Sequence, residues 1–357
     1  HIDIAPIIIV AFFTTLLVFG TKIGARVDGA MTVLKIAIVF FVVIVGFFYV
    51  KASNFTPFIP PSQPASTVEG SSAVTGVMTQ PLWQFATGMT PSVYGVPGIL
   101  SGAALVFFAF IGFDVVATAS EETKNPHKNV PLGIGVGMLL IIVMYMLVAV
   151  VTTGMVSYAD LAKQDSPSLA TAFELVGADW AAKIISFGIV LGLATVVMVL
   201  LLGLTRIVFA MSRDGLLPRG LSKTGKHGTP AALQIVVGAV VALVAAFFDI
   251  GVLSDMVNIG TLSAFTLVAI SIPIMRKKRP DLPRAFKMPG SPWIPILIAV
   301  ANFWLMLNLS VLTWIRFVVW LVVGFAIYFG YGYWHARLGK GDLTETLSAE
   351  TDKAVNG

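Results

Sequence analysis

Cysteine is absent from the 357 residues, which excludes a disulfide framework, thiolate metal sites and a cysteine nucleophile. Charge is scarce: Asp, Glu, Lys and Arg together make up 11% of the chain, less than half the ~25% of an ordinary soluble domain. Histidine occurs only at His1, His127, His227 and His335. These lie on loops and termini with no second ligand at helical spacing, so neither a metal site nor a hydrolase triad assembles from them. What is plentiful is apolar: 57% hydrophobic residues and a mean hydropathy of +0.91 describe an all-α polytopic membrane protein rather than two or three soluble domains.

A bilayer core of about 30 Å needs about 20 apolar residues in helical form, because a helix satisfies its own backbone in lipid. Nine such runs lie at 4–20, 30–50, 98–118, 131–157, 183–211, 231–248, 256–275, 292–310 and 313–334, making residues 1–338 a transmembrane domain. Residues 51–97, rich in Pro, Ser, Thr and Gly, read as a long loop. Residues 158–182 form a mixed-charge segment with room for short helices, and 339–357 read as a disordered tail.

Basic residues accumulate in cytoplasmic loops. One set of alternating loops, with the tail, holds seventeen Lys and Arg; the opposite set holds Lys51, Lys163, Lys183 and Arg316. The expected topology therefore has a cytoplasmic C-terminus, an external 51–97 loop and an external N-terminus. The net charge of +5 is then topological, and nucleic-acid binding is not expected, since no loop is long enough to fold into a module with a basic face.

Two glycine patterns imitate nucleotide sites. Gly220 to Lys226 has most of a phosphate-binding loop, but His227 stands where Ser or Thr would hold magnesium, and no buried strand precedes it. Gly133, Gly135 and Gly137 sit inside an apolar run, where small residues are expected to let helices approach closely.

Three ionisable residues stand as candidates at membrane depth, away from the span ends: Lys35, Asp114 and Arg206. Each costs at least ~2.5 kcal/mol at membrane depth, so each is expected to face a cavity, a partner or the interface. Lys35 lies about 8 Å into its helix, and two readings stand for it: a stem that snorkels, or an amine that gains and loses a proton during a cycle. Asp114 follows Phe107-Phe108-Ala109-Phe110-Ile111-Gly112-Phe113. Gly112 beside an acid in mid-span suits a helix break, whose freed carbonyls and carboxylate can receive an ammonium group or cation. A buried Asp paired to a neighbouring helix is the other reading. For Arg206, snorkelling or inward pairing is expected.

Three stretches resemble the amino acid, polyamine and organocation superfamily, and within it the cationic amino acid transporter family. They are Phe107–Pro131 (FFAFIGFDVVATASEETKNPHKNVP), Ala210–Pro218 (AMSRDGLLP) and Arg279–Pro289 (RPDLPRAFKMP). Ala25–Lys35 (ARVDGAMTVLK) and Thr56-Pro57-Phe58 fit as well, and the resemblance covers residues 4–338. It implies a twelve-span bundle built on a five-plus-five inverted repeat with two broken helices meeting at the substrate. The nine spans then correspond to family helices four to twelve, so the first three helices are expected to belong to a longer chain or to be missing from a truncated relative.

The same resemblance implies residue roles. Phe108 is similar to the aromatic that closes over the substrate. Ala109, Phe110, Ile111 and Gly112 match the unwound stretch whose carbonyls take the α-amino group, and Asp114 the acid just below. Lys35 matches the lysine that stands in proton-coupled members where sodium-coupled relatives bind sodium, and Thr195 the hydroxyl near that position. Glu121, Glu122, Asn125 and Pro126 match a cytoplasmic turn, with Asn129 expected to cap a helix entered at Pro131. The expected function is a proton-coupled amino acid carrier of the cell membrane, with the proton as coupling ion and no cofactor, metal or covalent chemistry. The rival is a truncated, non-transporting membrane protein acting as a scaffold or partner subunit. Expected partners are the amino acid and the lipid bilayer, besides an unknown small membrane partner.

Overall fold

The computed structural model describes residues 4–19, 21–65, 76–113, 116, 123, 125–164, 167–222, 230–281, 288 and 290–336. Each apolar run of the sequence falls on a helix: α1 Ile4–Phe19, α2 Thr21–Phe47, α4 Gly95–Val106, α5 Pro126–Met155, α8 Asp179–Arg213, α9 Ala231–Phe247, α10 Ile250–Lys278, α11 Trp293–Leu307 and α12 Val311–Ile327. Four short helices, α3 Leu82–Thr87, α6 Tyr158–Ala162, α7 Leu169–Leu175 and α13 Tyr333–His335, join them. Strands β1 Gln63–Pro64 and β2 Ser92–Val93 pair antiparallel. Among the described residues, five helical stretches, Gly29–Phe47, Lys128–Met155, Asp179–Arg213, Ile250–Lys278 and Val311–His335, are long and apolar enough to cross a membrane. Large apolar side chains such as Leu139, Met146, Phe187 and Leu267 point outward along them. Such continuous outward apolar surface belongs in lipid. The chain is an all-α, multi-pass integral membrane protein.

It forms two compact units. In the larger one, residues 29–193 and 249–317, Val42 of α2, Val151 and Met155 of α5, Phe173 of α7 and Ile185 of α8 share one core. Small residues set the approach of its helices. A Cβ on Gly46 would strike Val151 and the Met155 sulfur, one on Gly154 would lie 2.8 Å from Phe55 and Val50, and one on Gly188 would strike Ile38. A second core joins Ala104 of α4 to Ile259 and Leu262 of α10 and Met306 of α11. In the smaller unit, residues 1–28, 194–248 and 318–357, α1 lies along α9 and buries Val10, Phe13 and Leu17 against Met198, Leu201, Leu233 and Val237. Gly238 permits this contact, since a Cβ there would strike Thr14.

Three local expectations are revised. The stretch read as a loop at 51–97 carries structure of its own. The Leu82 N–H donates to the Leu309 carbonyl (3.0 Å), the Val311 and Leu312 N–H groups donate to the carbonyls of Gln80 (3.1 Å) and Met78 (2.8 Å), and the Trp83 indole donates to Asn308 Oδ1 (2.9 Å). Met78, Gln80, Leu82 and Trp83, lying among the Pro, Ser, Thr and Gly that made the stretch look like a loop, thus tie it to a distant turn. The helix expected to start at Pro131 starts at Pro126, behind Asn125 in the left-handed region (φ 50°, ψ 59°). Asn129 therefore sits in the first turn, its N–H donating to the Asn125 carbonyl (3.0 Å), and does not cap. A proline at the first helical position lacks only an N–H that has no intrahelical partner there, which favours the earlier start. Gly133, Gly135 and Gly137 face open space among the described residues, so they are not points of close helix approach there. The nucleotide-loop lookalike at 220–226 falls mostly outside the described residues.

Candidate functional site: an interrupted helix

α4 stops at Val106 in the middle of its apolar run. Phe107–Phe110 tighten into a 3-10 turn, and Ile111 turns extended (φ −68°, ψ 139°), its N–H donating to the Phe108 carbonyl at 3.2 Å. Gly112 follows at φ +116°, a conformation that a helix cannot contain and that residues with a Cβ rarely adopt. Three bulky aromatics within four residues also weaken helix propagation, because they lose rotamer freedom against the preceding turn.

The break is clamped from two helices. Phe107 and Phe113 both meet Phe265 of α10, at centroid distances of 6.1 and 5.3 Å. On α5, the Tyr145 ring lies edge-on to Phe110 at 5.0 Å, while its hydroxyl donates to the Ala109 carbonyl at 2.7 Å. A side chain thereby satisfies a carbonyl that the broken helix no longer pairs. Just before the break, the Leu105 carbonyl accepts from the amide of Asn258 on α10 at 3.4 Å. Asn258 is fully buried, and its Oδ1 has no hydrogen-bond partner among the described residues.

Phe108 to Gly112, all singled out from the sequence, therefore form one unwound stretch, with Phe108 and Ala109 exposed. Asp114 lies outside the described residues. Lys35 is half-buried on α2, its stem running beside Gly192 of α8, where a Cβ would lie 3.7 Å from the lysine Cγ. Thr195 belongs to the smaller unit and is buried there. Arg206 is half-buried on α8. Sequence reasoning missed Tyr145, Phe265 and Asn258. A hydroxyl or amide inside an apolar run needs a partner, which was a usable signal for Tyr145 and Asn258; Phe265 carried none. Among the described residues, no group of three His, Asp or Glu could hold a metal ion.

Helices of lipid length, together with an apolar helix that gives way at Val106 to a turn with its carbonyls out of the ladder, define a multi-spanning membrane protein with irregular backbone inside an apolar run. The family model described as "Amino acid permease" matches residues 4–332, and the chain belongs to that family, a family of permeases and not of enzymes. It is similar to the branched-chain amino acid permease BcaP of Bacillus subtilis (strain 168), 41% identical over 339 residues, covering 95% of this chain and 66% of the relative. It is similar to the methylthioribose transporter of the same organism, 38% identical over 334 residues, covering 93% and 65%. It also resembles the vacuolar cationic amino acid transporter 4 of Arabidopsis thaliana, 34% identical over 281 residues, covering 78% and 42%. The chain thus spans about two thirds of the length of the bacterial relatives, 66% and 65%.

Proposed function

We propose that the protein moves amino acids across the cell membrane as a proton-coupled secondary carrier working by alternating access. The observation that carries this reading is the interrupted helix at 107–113 in a member of the amino acid permease family. Backbone carbonyls outside a helical ladder provide acceptors for a substrate ammonium, and the exposure of Phe108 in the turn supports its proposed role of covering it. Relatives whose names print an amino acid class, branched-chain or cationic, favour an α-amino acid and leave its side chain open. The basic-residue bias assigns the C-terminus to the cytoplasm.

Lys35 is the proposed coupling group. Its stem runs beside a glycine on α8, which supports the reading in which the charge of its amine is linked to the packing of the two helices. Thr195 enters the proposal through its family match alone, and no organic cofactor is invoked. The test is uptake of labelled amino acid into proteoliposomes under an imposed proton gradient. Gradient-driven accumulation is expected for the native chain and abolished in Lys35→Met, while counterflow exchange of substrate persists. Undiminished accumulation in Lys35→Met removes the coupling assignment, and no uptake by the native chain removes the transport reading.

A further inference from the structure

A cavity of about 650 Å³ opens in the larger unit between the 54–60 segment and Leu105. Its walls include Phe58, Tyr94, Ile99, Ser101, Asp255 and Ser310. Leu105, on its wall, lies two residues before the 3-10 turn that starts at Phe107.

Two of the polar groups on its wall, Asp255 and Ser101, have hydrogen-bonding capacity left over. One oxygen of the Asp255 carboxylate accepts from the buried Thr313 hydroxyl at 3.1 Å. Among the described residues its other oxygen has neither a hydrogen-bond donor nor an ion-pair partner within 4 Å. Ser101 Oγ is buried without a partner, and so is Asn258 Oδ1. Ser101 and Leu105 lie one turn apart on α4, Asp255 and Asn258 one turn apart on α10, and the Asn258–Leu105 bond ties the two helices together. A carboxylate and two buried oxygens along one seam are costly when left unfilled. An ammonium group, with three N–H donors and no acceptor, complements them.

We propose that this cavity is a second binding site, for a small zwitterion bearing a primary ammonium, held by Asp255 and Ser101 on its wall, with Asn258 behind that wall on the Leu105 carbonyl. This deepens the transport reading: the occupant is the amino acid in transit, resting before the interrupted helix. A zwitterion is favoured over an inorganic cation because the positive charge of Arg316 acts on Asp255, and a substrate carboxylate offsets it.

The cysteine-free chain permits a direct test. Ile99→Cys places one thiol in the cavity wall, and its rate of reaction with a neutral thiosulfonate is measured in lipid nanodiscs. Alanine is expected to slow labelling by about fivefold or more at saturation, as one charge-assisted contact supports, while acetate and sodium chloride do not. The protection is lost with Asp255→Asn and restored with Asp255→Glu. An unprotected labelling rate that is the same in all three backgrounds reports an intact fold. Equal rates with and without alanine, or equal protection by sodium chloride, overturn the site. Uptake by the native chain separates the two readings: protection without uptake upholds this site while refuting transport, and uptake without protection refutes the site alone.

Discussion

Gly112 shows how one residue fixes the chemistry available around it. Its φ of +116° lies in open space, where a Cβ would meet nothing within 4 Å. Any cost of Gly112→Ala is therefore backbone strain of about 1–2 kcal/mol and not a clash. If the turned-out carbonyls bind substrate, that strain should weaken equilibrium amino acid binding by about tenfold and leave expression unaffected; scintillation-proximity binding reads it. Unchanged affinity would place the substrate elsewhere than on the 108–112 backbone. Gly112 was legible in the sequence because glycine beside an acid in a long apolar run is an anomaly. The Tyr145 hydroxyl on Ala109 was less so, since a lone tyrosine in a span fits many partners.

At the scale of elements, glycine positions separate packing from propensity. In the smaller unit, Gly238 lets α9 meet Thr14 of α1, and a threonine near its Cβ cannot swing aside as a long side chain would. Gly238→Ala should destabilise by about 1–3 kcal/mol through overpacking. On α5, Gly133 faces open space, so Gly133→Ala should stabilise by up to ~1 kcal/mol through helix propensity. Thermal unfolding in detergent should move Tm down for the first and up for the second, and equal shifts would contradict the helix contacts described. Both glycines look alike in sequence, each inside an apolar helix. The difference lies entirely in what the neighbouring helix places opposite them.

For the whole molecule, the charge bias makes an orientation testable. With no native cysteine, single substitutions report their side without background. A membrane-impermeant thiol reagent added to intact cells should label Ser53→Cys, in the segment before the Asn54 contact with the Gly154 and Met155 carbonyls. Ser348→Cys should label only after permeabilisation. The reverse pattern would invert the topology and turn the 650 Å³ cavity towards the cytoplasm.

The sequence by itself determined that the chain is helical and membrane-borne, where its apolar runs lie, and that the third run breaks near Gly112. These are local consequences of backbone physics: in lipid every peptide group must pair within its own segment, and glycine alone tolerates the departure. Tertiary structure decided what closes on the break. Phe265, Tyr145 and Asn258 arrive from helices 36 to 158 residues away in the chain, and residues 78–83 fold back on the 308–312 turn. Apolar composition says that such faces are buried or lipid-facing but not against which partner, because dispersion and burial are nondirectional and the choice among partners falls to the shape of the assembled interior.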